Sequence, residues 1–146
     1  MRYKALAVAT AAVSTLAFAS TPANAAEGWK TVSTNSEWAC TSYKHHPVSD
    51  YVNFKVCVVL NENNDAQTVL VVQNVATVAV AIGGQVKSQF STVTCADSPL
   101  NPGFTRGCYG KTDHYAAGGY AVGNAMLKLN TVNAWYDDDW PVLVST

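Results

Sequence analysis

The sequence predicts an all-β fold, a two-layer antiparallel β-sandwich of immunoglobulin-like type, with a small β-barrel as the alternative. Three observations predict it. Between Tyr51 and Leu60 the apolar residues alternate, with Val52, Phe54, Val56, Val58 and Leu60 on one face; a period of two is the mark of a half-buried strand. Further short apolar runs follow, separated by Gly, Pro, Asn and Asp clusters, and roughly seven such strands suit a sandwich. Beta-branched residues dominate these runs, as a pleated sheet favours.

The elements follow in chain order. Met1-Arg2-Tyr3-Lys4 and the apolar run Ala5 to Ala19 form the charged and hydrophobic parts of a secretory signal. The run is short for a hydrocarbon core of about 30 Å. Pro22 ends it, and Ala23 and Ala25 supply a small-residue cleavage site. Cleavage is expected after Ala25, so residues 1–25 read as a signal peptide and 26–146 as one secreted domain. Trp38 to Tyr43 is expected to pair with Tyr51 to Leu60 about a turn near Pro47 to Asp50. Asn61 to Asp65 reads as a turn, because Asn and Asp tolerate positive φ and bond their own backbone. Gln67 to Val72 and Val75 to Ile82 are the next strands, the second broken by Gly83-Gly84. Gln85 to Cys95 is another strand. Ala96 to Gly107, with Pro99, Pro102 and Gly103, is expected to be an irregular loop. Ala117 to Gly119 is a turn or bulge. Tyr120 to Leu129, Val132 to Tyr136 and Val142 to Val144 complete the set.

Charge excludes some partners. Removing Arg2 and Lys4 from nine Lys and Arg leaves seven against ten Asp and Glu, a net charge of −3. Scattered cations on an acidic chain do not neutralise phosphates, so nucleic acid is not expected as a partner. A basic membrane-surface role is disfavoured on the same ground.

The four cysteines, Cys40, Cys57, Cys95 and Cys108, are an even number in a chain read as exported, which argues for two disulfides. Of three possible pairings, Cys40–Cys57 and Cys95–Cys108 each close a short loop. In a simple hairpin joining Trp38–Tyr43 to Tyr51–Leu60, opposed residue numbers add to 97, and Cys40 and Cys57 meet that condition. The spacings of 17, 38 and 13 match no zinc module, and no metal or other cofactor is expected.

Several side chains are candidates for function. Trp135, Tyr136 and Trp140 flank Asp137-Asp138-Asp139; exposed aromatics beside acids and amides make a platform for sugars, whereas buried ones are core. The Ala96 to Gly107 loop has the design of a protease-inhibitory loop, a disulfide and prolines holding it extended while Leu100 or Arg106 fills a pocket. His45 and His46 fall in the presumed turn, where their rings would be exposed. The Asp137 to Asp139 run lacks the spacing of a known calcium loop. No serine sits in a G-x-S-x-G elbow, the cysteines are spent in bridges, and catalysis is not expected, although a small hydrolase remains an alternative.

The segments Ala39-Cys40, Lys55-Val56-Cys57-Val58-Val59, Val69 to Asn74, Cys95 and Gly107-Cys108-Tyr109-Gly110-Lys111-Thr112 resemble a recurrent class of small exported actinobacterial proteins, which share a cysteine pattern and a Cys-Tyr-Gly-x-Thr segment. The resemblance implies export, disulfides and a β fold, and it assigns no catalytic residue. The function expected is therefore that of a monomeric extracellular binding module for cell-wall glycan or a protein surface partner, with protease inhibition as the second reading.

Overall fold

The structure is a computed structural model that describes residues 25–35, 37–137 and the backbone of 142–145. The signal segment ahead of Ala25, and with it the processing expected there, lies outside the described residues, as do Asp138, Asp139 and Trp140.

Among the described residues, eleven strands make two sheets: β1 (Lys30–Thr31), β2 (Trp38–Cys40), β3 (Lys44–His46), β4 (Ser49–Leu60), β5 (Asp65–Asn74), β6 (Val80–Ser88), β7 (Thr92–Leu100), β8 (Thr105–His114), β9 (Tyr120–Leu129), β10 (Val132–Trp135) and β11 (Val142–Ser145). One sheet runs β1-β8-β5-β4-β2, with β3 also on β4; the other runs β10-β9-β6-β7, with β11 also on β9. All these pairings are antiparallel. The two sheets remain separate layers and do not close into a barrel. The neighbours β4-β5-β8 and β10-β9-β6-β7 reproduce the A-B-E and G-F-C-C′ adjacency of immunoglobulin-type sandwiches, without a D strand.

The alternation in β4 places its apolar face in the core. Val52, Phe54 and Val56 are fully buried, together with Leu70 and Val72 from β5, Ile82 and Val86 from β6, and Ala125, Leu127 and Leu129 from β9. Each large side chain of this layer contributes about 1.5–3 kcal/mol by leaving water. The turn after β4 forms as the asparagines require. Asn61 Oδ1 accepts from the amides of Asn63 and Asp65, both at 2.9 Å, and Asn64 has φ +61°.

Both disulfides form as paired from the sequence. Cys40 and Cys57 stand opposite each other in the ladder, with Cα atoms 4.0 Å apart. Cys95 and Cys108 join β7 to β8, strands of different sheets, with Cα atoms 6.0 Å apart. The hairpin register holds from Trp38↔Val59 to Cys40↔Cys57, then shifts to Lys44↔Phe54. Thr41 still holds Val56, its amide donating to the Val56 carbonyl at 2.9 Å and its hydroxyl accepting from the Val56 amide at 3.0 Å, and strand pairing resumes at Lys44.

Four strand boundaries differ from expectation. The expected strand Gln85 to Cys95 is divided: β6 ends at Ser88 and β7 begins at Thr92, with the Ser88 amide donating to the Ser91 carbonyl across the turn. Gly83-Gly84 lies inside β6 rather than ending it. It marks a register shift against β7 between Ile82 and Gly84, and on the β9 side a Cβ on Gly84 would collide with the Met126 carbonyl. Residues 75–79 are a turn, held by Asn74, and β6 begins only at Val80. The expected irregular loop shrinks to residues 101–104, since β7 runs to Leu100 and β8 begins at Thr105. Pro99 does not interrupt β7, which is an edge strand where a missing amide leaves no gap in a ladder.

The N-terminal segment closes one side of the sandwich. Glu27 forms a parallel bridge to Cys95, and the Trp29 indole donates to the Ala96 carbonyl at 2.7 Å. The chain then continues as β1 along β8. Val32 and Trp38 cover Cys57, Val69 and Val71 on the outer face of the larger sheet, and Trp38 meets Tyr109 edge-on at 6.2 Å.

Candidate functional site

Among the described residues, no apolar cluster covers the outer face of the smaller sheet as Val32 and Trp38 cover the larger. Paired residues on antiparallel strands share a face, so the register builds one row across it: Thr94 on β7, Gln85 on β6, Met126 on β9 and Trp135 on β10. A groove of about 320 Å³ crosses this face. Ala26 bounds it at the β7 edge and Asn133 at β10, and Gln85, Thr94, Asp97 and Lys128 supply polar walls. Gly84 lies in its lining, and Gly83 leaves room for Lys128 and Asp97, whose ammonium and carboxylate lie 2.5 Å apart. This pair is partly exposed, at 33% and 73%, so water screens it and its charges remain open to a ligand. Lys87 lies in the next row along, its ammonium 4.3 Å from the centre of the Trp135 ring.

Two elements hold Trp135. On its own sheet, Asn124, which is 7% exposed, donates to the Asp137 carbonyl at 3.0 Å and fixes the chain leaving β10. From the opposite sheet, Lys44 Nζ donates to the Trp135 carbonyl at 2.9 Å and to the Tyr136 carbonyl. The face therefore offers an aromatic ring, amide and hydroxyl groups, and one cation–carboxylate pair. That set suits hydrogen bonding and stacking with a polyol, and it contains no nucleophile–base pair.

The structure separates the aromatic residues that the sequence grouped. Trp135 is half-buried on the outer face. Tyr136 points the other way: its ring meets Phe54 edge-on at 5.8 Å, and its hydroxyl donates to the Ser42 carbonyl at 2.7 Å. It is a packing residue, and the platform of three is corrected to Trp135 among the described residues. The inhibitory-loop reading is corrected as well. Leu100 is 2% exposed in the core, because β7 carries it between the sheets, and it cannot enter a protease pocket. Arg106 lies on β8 rather than in a loop, its guanidinium 4.6 Å from the Phe104 ring centre.

The histidines divide. His45 is exposed as expected, but His46 is 1% exposed and belongs to β3. It shares a side of the strand with Lys44, which faces the sheets' interior. His114 pairs with Asp65 at 2.9 Å, and this hydrogen bond, helped by Asn61, holds the Asp65 carboxyl below the usual range. Among the described residues, no three His, Cys, Asp or Glu side chains stand together as a metal site. Ser88 and Ser91 both donate to Asp113, the second at 3.2 Å. The neighbouring imidazole of His114 is turned to Asp65, so these groups do not assemble a nucleophile, base and orienting acid.

Sequence reasoning missed Gln85, Lys87, Thr94, Asp97, Met126, Lys128 and Asn133. For Gln85, Lys87 and Thr94 the outward phase of alternating strands was the available signal. Compared with known proteins, the chain matches no family model, no curated protein and no solved structure.

Proposed function

We propose that this protein is an extracellular, non-catalytic binding module whose ligand is a glycan, engaged along the outer face of the smaller sheet beside Trp135. The observation that carries the reading is the difference between the two outer faces. The larger sheet buries its outer apolar residues under Val32 and Trp38. The smaller sheet leaves a groove walled by Gln85, Thr94, Asp97 and Lys128 next to an aromatic residue. A protein interface core is depleted in charge, whereas a sugar needs donors and acceptors around a stacking surface. Two disulfides, the export segment and the resemblance to small exported actinobacterial proteins support an extracellular setting.

The test is retention on insoluble peptidoglycan and on cellulose, quantified by depletion of free protein. Trp135→Ala is expected to weaken retention about tenfold or more, equivalent to about 1.4 kcal/mol. Tyr51→Ala, at an exposed position on β4 of the other sheet, should leave it unchanged. Equal retention of the wild type and Trp135→Ala, or none by the wild type on either polymer, would refute the reading.

A further inference from the structure

Strand β3 reaches across the sandwich to the chain that carries Trp135. Besides the two carbonyl bonds from Lys44, its ammonium lies 4.7 Å from the centre of the Tyr136 ring. Two residues on, His46 is wedged beside Phe54, with ring centres 6.1 Å apart. Its Nε2 is 3.3 Å from the Leu127 carbonyl on β9, and its Nδ1 is 3.4 Å from the Val48 amide nitrogen. A carbonyl accepts and an amide donates. The ring is therefore the neutral tautomer protonated at Nε2, with Nδ1 accepting from Val48.

A second proton would sit on Nδ1 and face the Val48 N–H, donor against donor. It would also place a charge in the apolar layer between the sheets, which is costly without a partner. Among the described residues, the surrounding groups do not supply one. On β3 itself, Lys44 opposes a positive ring and His45 is exposed. On β4, Asp50 is exposed and Lys55 lies over Tyr43 on the other face. On β9, Lys128 is on the outer face with Asp97. After β10, Asp137 is exposed. Burial therefore pushes the imidazole below its ordinary value, against the pull of the Leu127 and Val132 carbonyls.

We propose that β3 is a pH-sensitive latch on the Trp135 face: protonation of His46 frees Val48 and β3, withdraws Lys44 from the Trp135 and Tyr136 carbonyls, and releases the ligand. The release step rests on the glycan-binding reading; the latch does not. Hydrogen exchange by mass spectrometry, corrected for intrinsic rates, follows the peptides covering 44–48 and 132–136. In the wild type, opening of both is expected to rise about tenfold from about pH 7.5 to about pH 5. In His46→Gln it should stay flat, and His46→Phe serves if that variant does not fold. Protection that persists in the wild type, or that falls equally in the variant, overturns the latch. Retention on peptidoglycan should fall with acid in the wild type and hold in His46→Gln. Retention that ignores pH while the strands open overturns the release step. Absence of retention at every pH counts against the glycan reading alone, and the exchange data still decide the latch.

Discussion

Replacing Cys95 and Cys108 together with alanine removes a covalent tie between the two sheets, because β7 and β8 have no ladder of their own. The closed loop spans 13 residues, and restricting an unfolded chain by a loop of that size contributes about 3 kcal/mol. The loop closed by Cys40 and Cys57 spans 17 residues and gives nearly the same figure, about 3 kcal/mol. Chain entropy alone therefore predicts equal losses. Packing separates them. Cys95 and Cys108 both belong to the main core, whereas Cys40 is half-buried at the margin of the smaller cluster over Val69 and Val71. Two sulfur atoms deleted from the main core leave voids worth about 1 kcal/mol more. The inter-sheet pair should cost about 4 kcal/mol and the cross-strand pair about 3. Guanidinium unfolding of the two double variants measures this, with a larger slope in each because the unfolded chain expands. The melting temperature should fall by roughly 10 °C or more in both. Losses below about 1 kcal/mol would refute the entropic reasoning. A larger loss for the Cys40–Cys57 variant would refute the packing reasoning.

Asn74→Ala should destabilise by about 3 kcal/mol in chemical denaturation, at about 1 kcal/mol per bond. The side chain is fully buried and donates to the Val78 and Leu100 carbonyls while accepting from the Ala76 amide. Leu100→Ala should cost about 2–5 kcal/mol, since it empties a core position; a neutral result would restore the exposed-loop reading. Gly84→Val should fail to fold or lose several kcal/mol, because its Cβ meets the Met126 carbonyl, and soluble expression with a thermal melt reports it. The stability contributed by neutral His46 is present above the unfolded histidine value of about 6.5 and is lost as pH falls toward its lower folded value. The urea midpoint should therefore drop over that window, and His46→Gln should flatten the drop.

The fold was legible where one face was fully buried. In β4 the alternation named the inward residues, and the same register brought Cys40 opposite Cys57. Asn64 took the positive φ that its residue type allows. Misreadings arose where a turn-forming residue serves tertiary contact instead. Gly83 and Gly84 look like a break in the sequence, but they exist to let Lys128, Asp97 and the Met126 backbone approach closely. Pro99 suggests a loop until β7 is known to be an edge strand. His46 stands next to Pro47 and reads as part of an exposed turn. Its inward side is the one it shares with Lys44, two residues back on β3, and that short strand pairs with β4 through a register shift at His46 that no local pattern shows. Of the site, Trp135 was found because its residue type is conspicuous. The rest of its row was not, because which strands lie side by side is fixed by topology rather than by local pattern.

The same topology explains why the two outer faces differ. The chain enters along β7, pairs Glu27 with Cys95, and crosses to the edge strand β8 as β1. That path brings residues 32–38 over the larger sheet, where Val69, Val71 and Cys57 need cover from water. The smaller sheet presents Gln85, Lys87 and Lys128 outward from β6 and β9, while Asn124, buried there, donates to the Asp137 carbonyl, and the sheet gains stability chiefly from its inner face. Met126, apolar like Val122 on the same side of β9, is 8% exposed, so its neighbours shield most of it. Among them is Trp135, its cross-strand partner. Trp135 therefore stands beside Met126 and, through Met126 and Asn133, next to the groove that those two residues line. Trp135→Phe separates these roles: it retains cover for Met126 but presents a smaller ring to a ligand. Stability within about 1 kcal/mol of wild type, together with weakened retention on peptidoglycan, is expected. A large loss of stability with unchanged retention would make Trp135 a lid on Met126 and nothing more.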